Sequence, residues 1–288
     1  MRWVCSVAAV LAAAAAVTGC GGSEDEPTSR PPVVEDPGPV HVHGLGVNPA
    51  DGALFIATHT GLFRSPRDDR KTRRVKDRFQ DTMGFTVVGP DRFLGSGHPD
   101  GREDLPPFLG LLRSTDAGQS WDPVSLLGER DFHVLEASGR RIYGFGSDFE
   151  TRRTGLLVSD DAGASWNERA VPEPLLSLAI DPRNPARALA SGEQGLYLTA
   201  DAGRRWRSLS NEAGLLAWPR GATAYLVTLD GRVRRSIDGG IRWRHVGDVG
   251  GPPSAFDATA GELYVALHDG SIKLSADGGR TWRVRSRP

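Results

Sequence analysis

Histidine is the residue type in this chain best suited to chemistry, because imidazole is both a general acid or base near neutral pH and a common ligand for zinc and copper. There are seven histidines. Two of them, in His41-x-His43, would put both rings on one side of a strand. Asp81 and Asp131 are candidate carboxylate partners. Met83, one of two methionines, offers a soft thioether suited to copper. The expected metal set is His41, His43, His59, His98 and Met83, with copper or zinc as the ion. His133, His268, Asp81 and Asp131 complete the expected ligand-binding face. The plainer alternative is that these imidazoles bond loop carbonyls and water while Met83 packs in a strand. No catalytic residues stand out, since His-Glu-x-x-His, Gly-x-Ser-x-Gly and phosphate-binding glycine motifs are all absent.

The elements that must position these residues repeat along the chain. Five copies of one turn run Ser114-Thr-Asp116-Ala-Gly118-Gln-Ser-Trp121, Ser159-Asp-Asp161-Ala-Gly163-Ala-Ser-Trp166, Thr199-Ala-Asp201-Ala-Gly203-Arg-Arg-Trp206, Ser236-Ile-Asp238-Gly-Gly240-Ile-Arg-Trp243 and Ser275-Ala-Asp277-Gly-Gly279-Arg-Thr-Trp282. Their Asp-to-Asp spacings of 45, 40, 37 and 39 residues match one four-stranded propeller blade. Physically the copy is a hairpin turn. The Asp accepts backbone N–H groups, the Gly supplies positive φ, and the Trp begins the next strand as an apolar anchor. Before each copy a Gly leads a short alternating strand, as in Gly155-Leu-Leu-Val158.

Second strands are expected at 54–58, 92–96, 141–145, 188–191, 224–228 and 263–267, with inner strands starting near His41, Thr82, Phe132, Leu175, Gly214 and Ser254. That gives an all-β, six-bladed propeller whose ring closes by packing blade one on blade six. Blade one ends in a decayed copy without Gly or Trp. Its residues 67–78 carry seven basic and three acidic side chains, a run that could meet anionic lipid or wall polymer, or simply be solvated. Because the Asp turns join strands 3 and 4, the 2–3 loops and the links between blades open on the opposite face. Six of the seven histidines are expected there, in blades six, one, two and three; only His245 falls elsewhere. The long 2–3 loop of blade two, 97–108, would overhang that face as a lid or a passive insertion.

The turn resembles the Asp-box, or bacterial neuraminidase repeat, of sialidase-like propellers, with consensus Ser-x-Asp-x-Gly-x-Thr-Trp. In that superfamily the box is a structural turn away from the active site, so the likeness implies fold more than activity. It also implies, for a sialidase, three carboxylate-gripping arginines, a tyrosine nucleophile helped by a glutamate, and an aspartic acid. The four tyrosines, Tyr143, Tyr197, Tyr225 and Tyr264, all fall within repeat strands, and an Arg-Ile-Pro phrase is missing, so sialic acid hydrolysis is not expected. Propellers similar to this one, opening with His-x-His-Gly-Leu-Gly, are commonly labelled glycosyl hydrolases. A hydrolase of that kind would use two loop carboxylates, from Asp81, Asp131, Asp148, Glu150, Glu193, Asp230 and Asp269.

The remaining sequence concerns delivery. Arg2, the Ala-rich stretch to Val17 and the sequence Val17-Thr18-Gly19-Cys20 read as a lipoprotein signal over 1–19, with Cys20 lipidated. Residues 20–39 read as a flexible tether and 40–288 as the propeller. With Cys5 and Cys20 the sole cysteines, no disulfide or cysteine chemistry remains for the propeller. Charge is balanced, 35 basic against 36 acidic residues, which argues against nucleic acid as a partner. The reading is a monomeric, extracytoplasmic, membrane-anchored propeller that binds a metal, glycan or envelope protein on its histidine face, with glycoside hydrolysis as the alternative.

Overall fold

The computed structural model describes residues 36–287; the signal segment, Cys20 and the tether up to residue 35 lie outside them. Six four-stranded antiparallel sheets form the expected propeller. Blade one is β1 (Val42–Val47), β2 (Leu54–Thr58), β3 (Gly61–Ser65) and β4 (Arg73–Arg74). Blade two is β5 (Asp81–Gly89), β6 (Arg92–His98), β7 (Leu111–Ser114) and β8 (Asp122–Ser125). Blade three is β9 (Arg130–Ser138), β10 (Arg141–Asp148), β11 (Thr154–Ser159) and β12 (Asn167–Arg169). Blade four is β13 (Ser177–Ile180), β14 (Ala188–Ser191), β15 (Leu196–Thr199) and β16 (Arg207–Ser210). Blade five is β17 (Gly214–Arg220), β18 (Thr223–Thr228), β19 (Arg232–Ser236) and β20 (Arg244–Asp248). Blade six is β21 (Pro253–Ala258), β22 (Leu263–Leu267), β23 (Ile272–Ser275) and β24 (Arg283–Ser286). The inner strands β1, β5, β9, β13, β17 and β21 pack in that order around a channel and back to β1. Among the described residues there is no helix long and apolar enough to cross a membrane.

Each Asp turn closes on its hydroxyl as much as on its carboxylate. Ser159 Oγ donates to Asp161 Oδ1 at 2.8 Å and accepts the Gly163 N–H at 2.8 Å, while Asp161 Oδ1 takes the Ser165 N–H at 2.8 Å. The hydrogen bonds from Ser165 and Ser159 hold the Asp161 carboxyl down to about 2. All five turn glycines have positive φ, as the sequence required.

The apolar core is divided among the seams between blades. Trp121, Trp166, Trp206, Trp243 and Trp282 each pack into the seam with the preceding blade. The seam between blades six and one holds Val42, Leu45, Ile56 and Phe63 against Tyr264, Ala266 and Leu274, and no tryptophan, because blade one's turn has lost its own. Ring closure therefore uses packing without strand exchange, reinforced by polar pins. The buried Arg285 of β24 donates to the carbonyls of Asp69 (2.8 Å), Arg67 (3.3 Å), Ser65 (3.5 Å) and Pro66, and Ser286 Oγ donates to Arg70 O at 3.1 Å. Part of the basic run is consumed in the fold: Arg74 stacks 3.9 Å from the Phe79 ring centre, and Arg78 pairs with Glu103 at 3.0 Å.

Candidate metal centre at the channel mouth

Four neighbouring inner strands carry one residue more than their partners can match. On β1, Val42 faces Thr58 and Gly44 faces Ala57, which leaves His43 unpaired in the ladder. The same step leaves Met83 between Thr82 and Gly84 on β5, His133 between Phe132 and Val134 on β9, and Ser254 between Pro253 and Ala255 on β21. These are β-bulges, which kink the strand and re-aim the extra side chain. His43, His133 and Ser254 line the mouth of the central cavity, whose volume is about 490 Å³.

Two glycines make room for this geometry. A Cβ at Gly97, where φ is +139°, would stand 2.0 Å from the Asp81 carbonyl oxygen, and one at Gly146 would stand 1.8 Å from that of Asp131. Only glycine lets β6 and β10 approach the two bulged strands this closely. Both strands run beyond their expected ends, to His98 and Asp148, and so bring His98 directly across from Asp81.

Two clusters result. In the first, His43 Nε2 lies 3.2 Å from His59 Nδ1, His59 Nδ1 lies 2.8 Å from Asp81 Oδ1, and Asp81 Oδ1 lies 3.7 Å from His43 Nε2. Among the described residues, these are the three that place metal-ligand atoms within 4.8 Å of one another. Despite that proximity Asp81 Oδ1 makes no aligned hydrogen bond and is shut off from solvent. Burial pushes the His43 imidazole down to about 4, with Asp81 pulling it back and His59 adding to the fall. His43 is therefore neutral at pH 7, with a nitrogen lone pair to offer.

In the second cluster, the buried Asp131 is shared: its Oδ2 lies 2.8 Å from His133 Nε2 and 3.4 Å from His98 Nε2. The bond to Asp131 raises the His133 pKa above its ordinary value. His98 Nδ1 stands 2.8 Å from the Pro107 carbonyl, so that nitrogen carries the proton. Pro107 belongs to the long loop of blade two, which is fastened down: Asp100 accepts the Phe79 N–H at 2.8 Å and is clamped by Arg102 at 2.6 Å. The loop is thus a strapped insertion.

The structure treats the remaining sequence candidates differently. His41 lies just before β1 with φ of 51°, so the alternation that would have aligned it with His43 does not apply; its ring instead sits 5.2 Å from that of His59. Met83 occupies a bulge, and His268 bonds the Pro252 carbonyl through its backbone at the blade six turn; among the described residues no side-chain hydrogen bond or ion pair joins either to the two clusters. Asp148, Asp230 and Asp269 cap their own turns through Thr151, Thr228 and Ser271, while Glu150 and Glu193 are exposed. Tyr197 does meet a glutamate, donating to Glu173 at 2.8 Å, but on the third strand of blade four and away from the channel lining.

Sequence reading missed the channel carboxylates. Glu136 on β9 and Asp257 on β21 line the cavity. Burial pushes Glu136 up to about 8, with Asp257 adding to the rise, and burial pushes Asp257 up to about 6 against the pull of N–H groups from Ala258 and Val47. A polar residue in each of the runs Val134-Leu-Glu136-Ala and Ala255-Phe-Asp257-Ala was the available signal.

No described protein family matches the chain. The human VPS10 domain-containing receptor SorCS2 is 27% identical over 105 residues, which is 34% of this chain and 9% of the receptor. Among solved structures, a gluconolactonase from Xanthomonas campestris superposes with a TM-score of 0.62 at 17% identity, over 80% of this chain and 84% of its own. A protein in a nidogen/laminin complex gives 0.61 at 12% identity, over 82% and 93%. A GH74 xyloglucanase from Xanthomonas campestris gives 0.52 at 19% identity, over 86% of this chain and 45% of that one. At these identities the likeness is one of fold, and it places the chain among the β-propellers.

Proposed function

We propose that this chain is an envelope-anchored propeller that binds one divalent transition-metal ion at its channel mouth, through His43 Nε2, His59 Nδ1 and Asp81 Oδ1. The observation that carries the reading is the size of the triangle those atoms form. Its edges are 2.8, 3.2 and 3.7 Å. A tetrahedral zinc ion with bonds of about 2.0–2.1 Å spaces its ligands roughly 3.3–3.4 Å apart. A point about 2.05 Å from all three atoms exists just off their plane, leaving a fourth position open. Asp81 Oδ1 supports the same conclusion, since it is shielded from solvent and makes no aligned hydrogen bond with the imidazole 2.8 Å away. Two nitrogens and one oxygen favour zinc; copper would be favoured if Met83 joined the set.

The full chain, purified in detergent, equilibrated with zinc or copper and gel-filtered, should retain close to one ion per molecule by elemental analysis. His43→Ala and Asp81→Asn should each retain less than a tenth of that. Absence of retained metal in the unaltered chain would sink the reading and leave glycan or envelope-protein binding on this face. The anchor rests on Val17-Thr18-Gly19-Cys20; labelling with a clickable fatty acid should be lost in Cys20→Ser. Neither nucleic acid nor a second copy of the chain is needed. Glycoside or lactone hydrolysis, the activity in the names of some structural neighbours, stands as a second reading. Within it the candidate carboxylates narrow to Asp81 and Asp131, because Asp148, Asp230 and Asp269 are occupied in turns and Glu150 and Glu193 are exposed.

A further inference from the structure

We propose that the Asp-turn face docks flat on an anionic lipid surface, through an arc of arginines in blades four, five, six and one and with Ile237 entering the lipid. The arc occupies the turn positions that the fold leaves free. From the residue after the turn glycine to the one after the tryptophan, blades two and three read Gln119-Ser-Trp-Asp122 and Ala164-Ser-Trp-Asn167. Blades four, five and six read Arg204-Arg-Trp-Arg207, Ile241-Arg-Trp-Arg244 and Arg280-Thr-Trp-Arg283. The first two carry no basic residue, and the other three carry seven, all of them exposed. Among the described residues those seven make a single ion pair, Arg242 Nε with Asp238 Oδ2 at 4.0 Å. Blade one, next around the ring, continues the arc with Arg67, Arg70, Lys71 and Arg73 against Asp68 and Asp69.

Two blades give up a bond of the turn to carry this charge. Ser120, Ser165 and Thr281 each donate a side-chain hydroxyl to the turn carboxylate, at 2.6, 2.6 and 2.7 Å. Arg205 and Arg242 stand at the same position, and from there only their backbone N–H groups reach Asp201 and Asp238, each at 2.9 Å. Beside Arg242 the turn of blade five presents Ile237, 69% exposed, and Ile241, 43% exposed, where other blades have Thr115, Asp160, Ala200 and Ala276 in place of Ile237. These tips are stiff: Ala202 N donates to Ala186 O at 2.8 Å and Gly239 N to Ala222 O at 2.9 Å, tying each to another loop of its own blade. A soluble polyanion would engage the arginines and leave the isoleucines in water. A bilayer takes both, since anionic headgroups attract each guanidinium by about 1 kcal/mol and an apolar tip enters the acyl boundary. Turn tips on one face of a ring also suit a flat partner. The lipid expected on Cys20 holds the domain near such a surface, and residues 20–35 can extend to about 50 Å, beyond the depth of blades whose strands run about 17 Å. Docked this way, the metal centre faces away from the bilayer.

The test places a polarity-sensitive fluorophore on Ile237→Cys of the full chain, with the unaltered chain labelled alike as background. Reconstituted in vesicles of phosphatidylcholine and phosphatidylglycerol in equal parts, the label should brighten at least twofold and shift to the blue. It should not respond in phosphatidylcholine alone, and the response should vanish at about 0.5 M salt. A label on Gln119→Cys, in the turn of blade two, should stay dark in both. Arg205→Ser combined with Arg242→Ser restores the hydroxyl of the other turns, so the melting temperature should hold or rise while the response falls to under a third. No response in the anionic vesicles, an equal response in both kinds, a response kept in the double serine variant, or the same shift with inorganic polyphosphate would each overturn the proposal. Retained zinc should be unchanged throughout, which separates docking from the metal centre. The fatty-acid label on Cys20, read in the same sample, separates it from the anchor: a dark Ile237→Cys label with that lipid present defeats the docking alone.

Discussion

The two faces of the ring are built on opposite plans. On one, a single turn is used five times, with the same hydroxyl, carboxylate and glycine making the same bonds each time. On the other, bulges in four adjacent blades carry four side chains of three types, His43, Met83, His133 and Ser254, and the histidines gather around two carboxylates. Repetition secures each seam locally, so no single turn is decisive. Bulges concentrate consequence at a few backbone contacts. The difference teaches that a propeller can keep its architecture in one face and free the other for chemistry.

The largest expected effect breaks that division. Gly146→Ala drives a methyl group into the Asp131 carbonyl, so blade three must part, and denaturant unfolding should show a loss of about 3–4 kcal/mol. Gly101→Ala, in the loop of the same face with open space around it, should change nothing. If the two variants melt together, the close approach of β10 to β9 is not what holds the face. Next in size is Arg285→Met, which keeps the apolar stem but strips the carbonyls of blade one of their donor. It should lower stability by about 2–3 kcal/mol, more than any single turn.

A smaller effect sharpens the contrast through pH. Glu136 has its pKa raised from 4.5 to about 8, so the folded chain binds the extra proton between those values. Its favourable contribution is whole below about pH 4.5 and is lost as pH rises through about 8. Glu136→Gln should therefore stabilise the protein by about 2 kcal/mol at pH 9, less than half of the roughly 5 kcal/mol the full shift implies because the side chain is only part-buried on the channel, and by almost nothing at pH 4.5, as read from melts at both values. The smallest effect belongs to the repeated face. Ser159→Ala removes a buried hydroxyl that serves both Asp161 and Gly163, at about 1 kcal/mol, and pairing it with Ser275→Ala should simply double the loss. The turn carboxylates run the other way with pH: Asp161, held down to about 2, supports the fold above its ordinary 3.8 and stops doing so as pH falls toward 2.

What could be read in the sequence follows the same division. The five Asp turns announced the blade repeat because each turn is closed by residues within five positions of one another, and local chemistry leaves a local pattern. The gathering of His43, His59 and Asp81 was half visible: their face was legible, their grouping was not. A bulge is a relation between two strands, written as much in Gly146 of β10 as in His133 of β9, and a strict alternation count loses parity at that step. His41 shows the cost, since one residue with positive φ removed it from the strand that was to align it with His43. Arg285 was hidden for a similar reason, its carbonyl partners lying more than 200 residues away.

Because every blade is one uninterrupted stretch of chain, the blades become complete in the order of synthesis. Blades one to five and three strands of the sixth leave the ribosome before the strand that bears Arg285. Until it emerges, blade one's altered turn has nothing to fill its ring of carbonyls, and the open arc cannot latch early on an incomplete set. The irregular turn thus works as a completeness check on the circle.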